Sequence, residues 1–427
     1  MSIDSKQQVR ATLSEWQSGT IGDYASIKHG WAFESRHFTS EGKHVVLTPG
    51  NFFEEGGFRP RNSLDRFYNG KFPREYILKK GDLIVAMTQQ AEGLLGSPAI
   101  IPESDKYLHN QRLGLVTITK PHLLDVSFLF FLLNLTSVRN RIEATAGGTK
   151  VKHTSPSKIL SVPISIPSLG VQRTIVRVLS AWDGAVEQTE RLIAAKRRRK
   201  LALMQQLLTG RRRFRNFIKR KLSSNTKFGP VPADWRYLKV GEFASEVSAR
   251  NTVRQDLPVL SCTKYDGLVE SLKYFGKRVF SEDTANYKVV RRNQFAYPCN
   301  HVEEGSIGVL AFVDAGIVSP IYTVFQTDDR VHVPYLYALF KTELYRHIFQ
   351  VSTSASVDRR GSLRWAQFAR IPVALPNLQE QKKIATVLAC CDREIEALDA
   401  QLDALKEQKK GLVQQLLTGK VRIVSRS

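Results

Sequence analysis

Residues 205–210 read Gln-Gln-Leu-Leu-Thr-Gly, and residues 414–419 read the same. Holding that offset of 209 positions and walking backwards without a gap, Leu203 meets Leu412, Lys200 meets Lys409, Glu187 meets Glu396, Asp183 meets Asp392 and Gln172 meets Gln381. Pro163, Pro167 and Leu169 likewise meet Pro372, Pro376 and Leu378. An ungapped correspondence over some fifty residues is a duplication. Upstream the match loosens: Trp16, Gly22, Tyr24 and Ala25 have the spacing of Trp235, Gly241, Phe243 and Ala244, now at an offset of 219. The chain must therefore build one architecture twice, each copy a variable domain followed by a near-constant segment.

The constant segments carry a heptad seam. In the second copy the apolar positions are Ile384, Leu388, Cys391, Ile395, Leu398, Leu402, Leu405, Leu412 and Leu416, spaced 4, 3, 4, 3, 4, 3, 7 and 4. The first copy repeats them at Ile175, Leu179, Trp182, Val186, Ile193, Leu203 and Leu207, with Thr189 and Lys196 as interruptions. Such spacing buries one stripe of a helix against a partner helix. Pro167 and Pro376 stand before each segment, and Gly210 and Gly419 suit the position after a helix end. Two helices of about 40 residues, roughly 60 Å each at 1.5 Å per residue, are expected. Short connections favour an antiparallel pair with a globular domain at each end. In that register Lys196 to Lys200 lie near Asp392, Glu394 and Glu396, an interhelical ion-pair layer.

Lys plus Arg number 63 and Asp plus Glu 40, a formal charge of +23 that favours a polyanionic or acidic partner. Residues 190–221 hold thirteen of the basic residues and one acid. Arg211, Arg212, Arg213, Arg215, Lys219, Arg220 and Lys221 follow the first helix without an evident acidic counterpart, and read as a phosphate-facing patch or a basic linker. The polar start from Met1 to Arg10 lacks a signal-peptide core, and the longest apolar run, Phe128–Leu133, is far short of a bilayer span. Cys262, Cys299, Cys390 and Cys391 form no C-x-x-C pair and suit free thiols in a reducing cytoplasm. No nucleotide cradle, H-E-x-x-H zinc pair, G-x-S-x-G elbow or amino-methyltransferase tetrad is visible. A binder is expected rather than an enzyme, with neither catalytic nor metal-ligating residues.

The variable domains mix strands with shorter helices and read as α+β. Val45–Leu47, Asp82–Ala86 and Leu113–Ile118 have strand character; Val126–Asn134 and Pro334–Phe349 have helix character. Gly81-Asp82-Leu83-Ile84-Val85 and Asn293-Gln294-Phe295-Ala296-Tyr297 read as one strand repeated. Two loops ahead of the Pro-x-x-x-Pro segments suit phosphate and base contact. The first offers Thr149, Lys150, Lys152 and His153; the second Ser356, Arg359, Arg360 and Arg364. Lys and Arg neutralise phosphates, and Arg can read guanine through two hydrogen bonds. Gln89, Gln90, Asn110, Gln111 and Arg112, and in the second copy Lys264, Tyr265, Asn300 and His301, are further candidates, since amides pair with adenine edges but also fill turns.

This organisation resembles the specificity subunit of type I restriction-modification enzymes. The resemblance covers nearly the whole chain and rests on Pro-x-x-x-Pro-x-Leu at 163–169 and 372–378, Gln172 and Gln381, the paired Gln-Gln-Leu-Leu-Thr-Gly ends and the strand near Gly81-Asp82-Leu83. It implies two α+β target recognition domains separated by a long antiparallel two-helix coiled coil with an internal pseudo-twofold axis. Recognition domains then occupy 1–168 and 234–377, conserved helices 169–212 and 378–427 (with the tail), and a basic linker 213–233. Each domain would bind one half of a bipartite, asymmetric double-stranded DNA site, while the helices set the spacing. The resemblance further implies two methyltransferase subunits, binding S-adenosylmethionine, docked on this scaffold, and restriction/translocase subunits using ATP and Mg²⁺; this chain itself would hold no cofactor, be cytoplasmic and have no membrane partner. The basic 211–221 stretch departs from the family signature. The competing reading is a coiled-coil adaptor that binds nucleic acid without sequence preference.

Overall fold

The computed structural model describes residues 16–89, 93–148, 151–218, 223–226, 229–353 and 362–421. Two units divide the chain: 1–190 together with 401–427, and 191–400.

In the first unit the strands that organise the domain are β1 (Gln17–Thr20), β2 (Ala25–His29), β3 (Leu83–Ala86), β4 (Thr88–Gln89), β5 (Pro98–Ile100), β6 (Leu113–Ile118), β7 (Lys152–His153) and β8 (Pro163–Ile166). An antiparallel sheet runs β2-β6-β3-β5, with Leu113 opposite Ala86 and Val116 opposite Leu83. Leu83, Val85 and Val116 bury one face against Phe128, Leu129 and Leu132 of the helix Val126–Leu133, whose first amides are capped by the Asp125 carboxylate. A second small sheet from Phe38–Thr39, Phe67–Tyr68, His44–Val46 and Tyr107–Leu108 closes over Phe33, Phe38, Tyr68 and Phe72.

The second unit repeats the design with β9 (Arg236–Lys239), β10 (Ala244–Glu246), β11 (Phe295–Pro298), β12 (Gly308–Val309), β13 (Tyr322–Thr327) and β14 (Pro372–Leu375). Its sheet runs β10-β13-β11-β12, the same order as in the first unit. Tyr322 faces Pro298 as Leu113 faces Ala86, so β11 and β3 are the repeated strand expected from sequence. Asn293 takes the positive φ (66°) that Gly81 takes at the matching turn, a conformation Asn tolerates better than most side chains. The expected helix Pro334–Phe349 is instead two helices, Val333–Phe340 and Glu343–Ser352. The Thr342 hydroxyl accepts the Tyr345 amide and starts the second one, an N-cap inside an otherwise continuous apolar pattern.

The Pro-x-x-x-Pro segments are β8 and β14, paired antiparallel with β1 and β9. Two helices of 40 residues follow, α1 (Leu169–Leu208) and α2 (Leu378–Leu417). Gln172 and Gln381, both fully buried, explain their place in the repeat. Gln172 donates from Nε2 to the Leu123 and Pro167 carbonyls and accepts from the Asp125 amide; Gln381 donates to Arg330 and Pro376 and accepts from His332. Each glutamine clamps the loop entering its domain's apolar helix to the start of its long helix.

Within each unit the long-helix segments run antiparallel. In the first, Lys406 pairs with Glu190 at 2.7 Å and Lys409 with Asp183. In the second, Lys196 pairs with Glu394, Lys200 with Asp392, and Arg197 grips both oxygens of Asp399 at 2.9 and 3.1 Å. Of the seam residues, Ile175, Leu179, Ile193, Leu207, Ile384, Leu388, Ile395 and Leu416 are buried, and Val186, Leu203, Leu402 and Leu412 are half-buried. The helix ends enter the domain cores: Leu416 and Leu417 pack with Ile175 and Leu179 in the first unit, Leu207 and Leu208 with Ile384 and Leu388 in the second. Past each end, Gly419 (φ 69°) meets Trp16 and Gly210 (φ 72°) meets Pro232 and Trp235. An added Cβ would lie 3.1 Å from the Trp16 ring and 2.5 Å from Pro232, so both the left-handed turn and the close approach call for glycine. The repeated tryptophans cover the turns that end the long helices.

Candidate nucleic-acid interface

At one end of the first unit's sheet a chain of backbone hydrogen bonds gathers segments far apart in sequence. The Gln111 amide donates to Trp31 O at 3.0 Å, the Met87 amide to Arg112 O at 2.9 Å, and the Thr154 amide to Met87 O at 2.9 Å. β4 pairs antiparallel with β7, setting Lys152 opposite Gln89 and His153 opposite Thr88. The loop after the central strand is thus stitched to the loop before the Pro-x-x-x-Pro strand.

Side chains on this seam divide into committed and free. Gln89 is buried and its Oε1 accepts the Leu95 amide, so its amide oxygen fills a turn. Lys152 is half-buried and paired with Glu143. His153 is exposed, its Nδ1 3.2 Å from the Thr88 hydroxyl. Gln111 and Arg112 are exposed. Asn110 is half-buried, and its Oδ1 accepts the Arg112 amide. Trp31 stands 39% exposed beside them, its ring 5.4 Å from Tyr76, over which Lys28 sits at 4.5 Å. No spacing rule marks a lone tryptophan; only the bridge to Asn110 brings it here.

The second unit builds the same seam. The Cys299 amide donates to Ile321 O at 3.4 Å and the Leu363 amide to Cys299 O at 2.8 Å. Asn300 and His301 follow Cys299, half-buried and exposed respectively, and Arg364 is exposed. Lys264 and Tyr265, both exposed, sit in the turn between Leu260–Thr263 and Gly267–Glu270, with the Lys264 ammonium 5.4 Å from the Tyr265 ring. Lys341 ties that turn to the seam loop by donating to Lys264 O and Gly305 O at 2.6 and 2.9 Å. Burial holds the Lys341 ammonium below its usual pKa. His301 lies 3.3 Å from Glu304, and with Glu303 this corner carries two carboxylates, which disfavour phosphate there. Thr149, Lys150, Ser356, Arg359, Arg360 and Gln90 lie outside the described residues.

The basic stretch after α1 needs correction at Arg213. Its side chain is 6% exposed, donates to Asp234 at 2.6 and 3.0 Å and to Glu380 at 2.9 and 2.8 Å, and stacks over Trp235. Glu380, itself 0% exposed, and then Asp234 hold the guanidinium firmly charged. Both acids are distant in sequence, so the local charge pattern around Arg213 does not reveal them. Arg211, Arg212 and Arg215 are exposed, and Lys219, Arg220 and Lys221 lie outside the described residues.

Residues 13–196 and 249–407 match the family model described as type I restriction modification DNA specificity domain. The chain belongs to the type I restriction-modification specificity subunits. It is 22% identical over 364 residues to the type I restriction enzyme MjaVIII specificity subunit of Methanocaldococcus jannaschii, covering 82% of this chain and 81% of that one. It is also 22% identical over 426 residues to the EcoBI specificity subunit of Escherichia coli, covering 94% and 84%. The fold is that of the type I system S subunit from M. genitalium (TM-score 0.53, 17% identity, 95% and 96% coverage) and of the HsdS subunit from Thermoanaerobacter tengcongensis (TM-score 0.51, 16% identity, 95% and 97%). Among the described residues of this specificity subunit no helix is long and apolar enough to cross a membrane.

Proposed function

We propose that this chain is the non-catalytic reader of a type I restriction-modification complex, in which each recognition domain binds one half of a bipartite, asymmetric duplex site through its seam. The observation that carries the reading is that both units hold the same backbone frame, the Thr154–Met87 bond in one and the Leu363–Cys299 bond in the other, yet surround it with different side chains. A shared frame with divergent side chains suits two readers of different sequences. The long helices set the gap between half-sites and offer the docking surface for two modification subunits. S-adenosylmethionine, ATP and Mg²⁺ belong to those modification subunits and to restriction subunits, and the exposed basic residues add phosphate contacts that set register without carrying sequence.

The test is to co-express the chain with its modification subunits and map N6-methyladenine across the host genome. The reading expects one bipartite motif with a fixed gap, absent when this chain is omitted. Methylation scattered without a motif, or the same motif without this chain, would favour the adaptor that binds nucleic acid non-specifically.

A further inference from the structure

Two backbone hydrogen bonds of the first seam recur in the second. Met87 N to Arg112 O in the first unit corresponds to Cys299 N to Ile321 O in the second, and Thr154 N to Met87 O corresponds to Leu363 N to Cys299 O. Strand register agrees: Leu113 opposite Ala86 matches Tyr322 opposite Pro298, so the residue before β6 matches the residue before β13. Arg112 and Ile321 therefore occupy one and the same seat.

Their side chains are the ones left without partners at that seat. Around Arg112, the amide oxygen of Gln89, the hydroxyl of Thr88 and the ammonium of Lys152 are all engaged inside the domain. The Arg112 amide is pinned by Asn110 Oδ1 at 3.0 Å, yet its exposed guanidinium has no hydrogen bond or ion pair among the described residues. Around Ile321, the Cys299 thiol meets the Thr323 hydroxyl, Leu363 is fully buried and His301 faces Glu304. Ile321 itself stands 48% exposed after an exposed Pro320. A stiff β-branched apolar side chain held out to water from a rigid strand end gains by covering another apolar group, and the major groove offers one such group, the thymine methyl. An unpaired guanidinium carried on a pinned backbone can reach the O6 and N7 acceptors of guanine.

We propose that Arg112 reads a guanine in one half-site and that Ile321 reads a thymine methyl in the other. This assignment rests on the reading of the chain as a two-domain DNA reader. The experiment compares methylation maps of the complex carrying wild-type chain, Arg112→Ala and Ile321→Ala. Arg112→Ala should relax one guanine position of one half-site, with at least about a tenfold loss of discrimination, and leave the other half-site intact. Ile321→Ala should relax one thymine position in the opposite half-site, and uracil substituted for that thymine in a binding competition should weaken the wild type but not the variant. Wild-type motifs in both variants, or relaxation of a different base, would overturn the assignment alone. A wild-type complex without any motif would overturn the DNA-reader reading and the assignment with it.

Discussion

Two buried polar side chains show what single residues contribute. Glu380 is one: its carboxylate is fully enclosed and its charge is answered by Arg213. Removing one member of a buried pair costs about 3–5 kcal/mol, whereas replacing both by apolar groups costs much less. The duplication supplies the control, because the position of Glu380 is held in the first copy by the buried Val171. Glu380→Val alone should therefore lower stability by about 3 kcal/mol in denaturant titration, and because Arg213 also bonds Asp234, recovery should need Arg213→Met together with Asp234→Asn; equal losses in the single and triple variants would refute the pairing. His109 is the other. Burial lowers its pKa from 6.5 to about 4; its Nε2 bonds the Leu113 carbonyl at 2.9 Å and its Nδ1 has no partner among the described residues. Between those two values the unfolded chain binds the proton and the folded one does not. Stability therefore falls as pH drops from 6.5 to about 4 and is unaffected by this group below that. The loss amounts to about 3 kcal/mol. His109→Gln keeps a donor for Leu113 and should flatten the pH dependence of the urea midpoint across that window; an unchanged slope would show that other groups set it.

At the scale of elements, the long helices were legible because a heptad stripe and a duplicated end are local, periodic signals. Their partners were legible as well, since opposite charges fall into step once the antiparallel register is assumed, as with Lys196 and Glu394. The seam was legible only in its loops. Met87 and Cys299, which join them, look like ordinary strand-end residues, and Trp31 and Ile321 arrive by long-range backbone pairing that leaves no periodicity. The break at Thr342 was hidden for a related reason: an N-cap threonine within an apolar run is indistinguishable by pattern from a mid-helix one. The ion pairs and the apolar stripe also differ in weight. Lys200 and Asp392 remain 27% and 45% exposed, so Lys200→Ala should cost less than about 1 kcal/mol. Leu388→Ala opens a cavity and should cost about 2–5 kcal/mol. Thermal melts of the two variants would rank them, and a larger loss for the lysine would mean that charge rather than packing holds the helices together.

For the whole molecule, the proposed function makes helix length a measuring device. Four residues inserted into α1 and α2 at matching positions add about 6 Å, close to two base-pair steps of about 3.4 Å. The methylated motif should then keep both half-sites and widen its gap; altered half-site sequences would count against a spacing role. A second consequence follows from Leu416 and Leu417, which lie in the first unit's core some 240 residues beyond the helix start they pack on. A chain ending at residue 400 should keep the second unit's core and lose about 4 kcal/mol or more from the first, visible as preferential proteolysis of residues 16–168. Neither copy, in other words, closes its own hydrophobic interior; each is sealed by the tail of its sibling. A half-length chain with a single copy would need a twin molecule to lend that tail; the duplication makes that trade between molecules one conducted inside a single polypeptide.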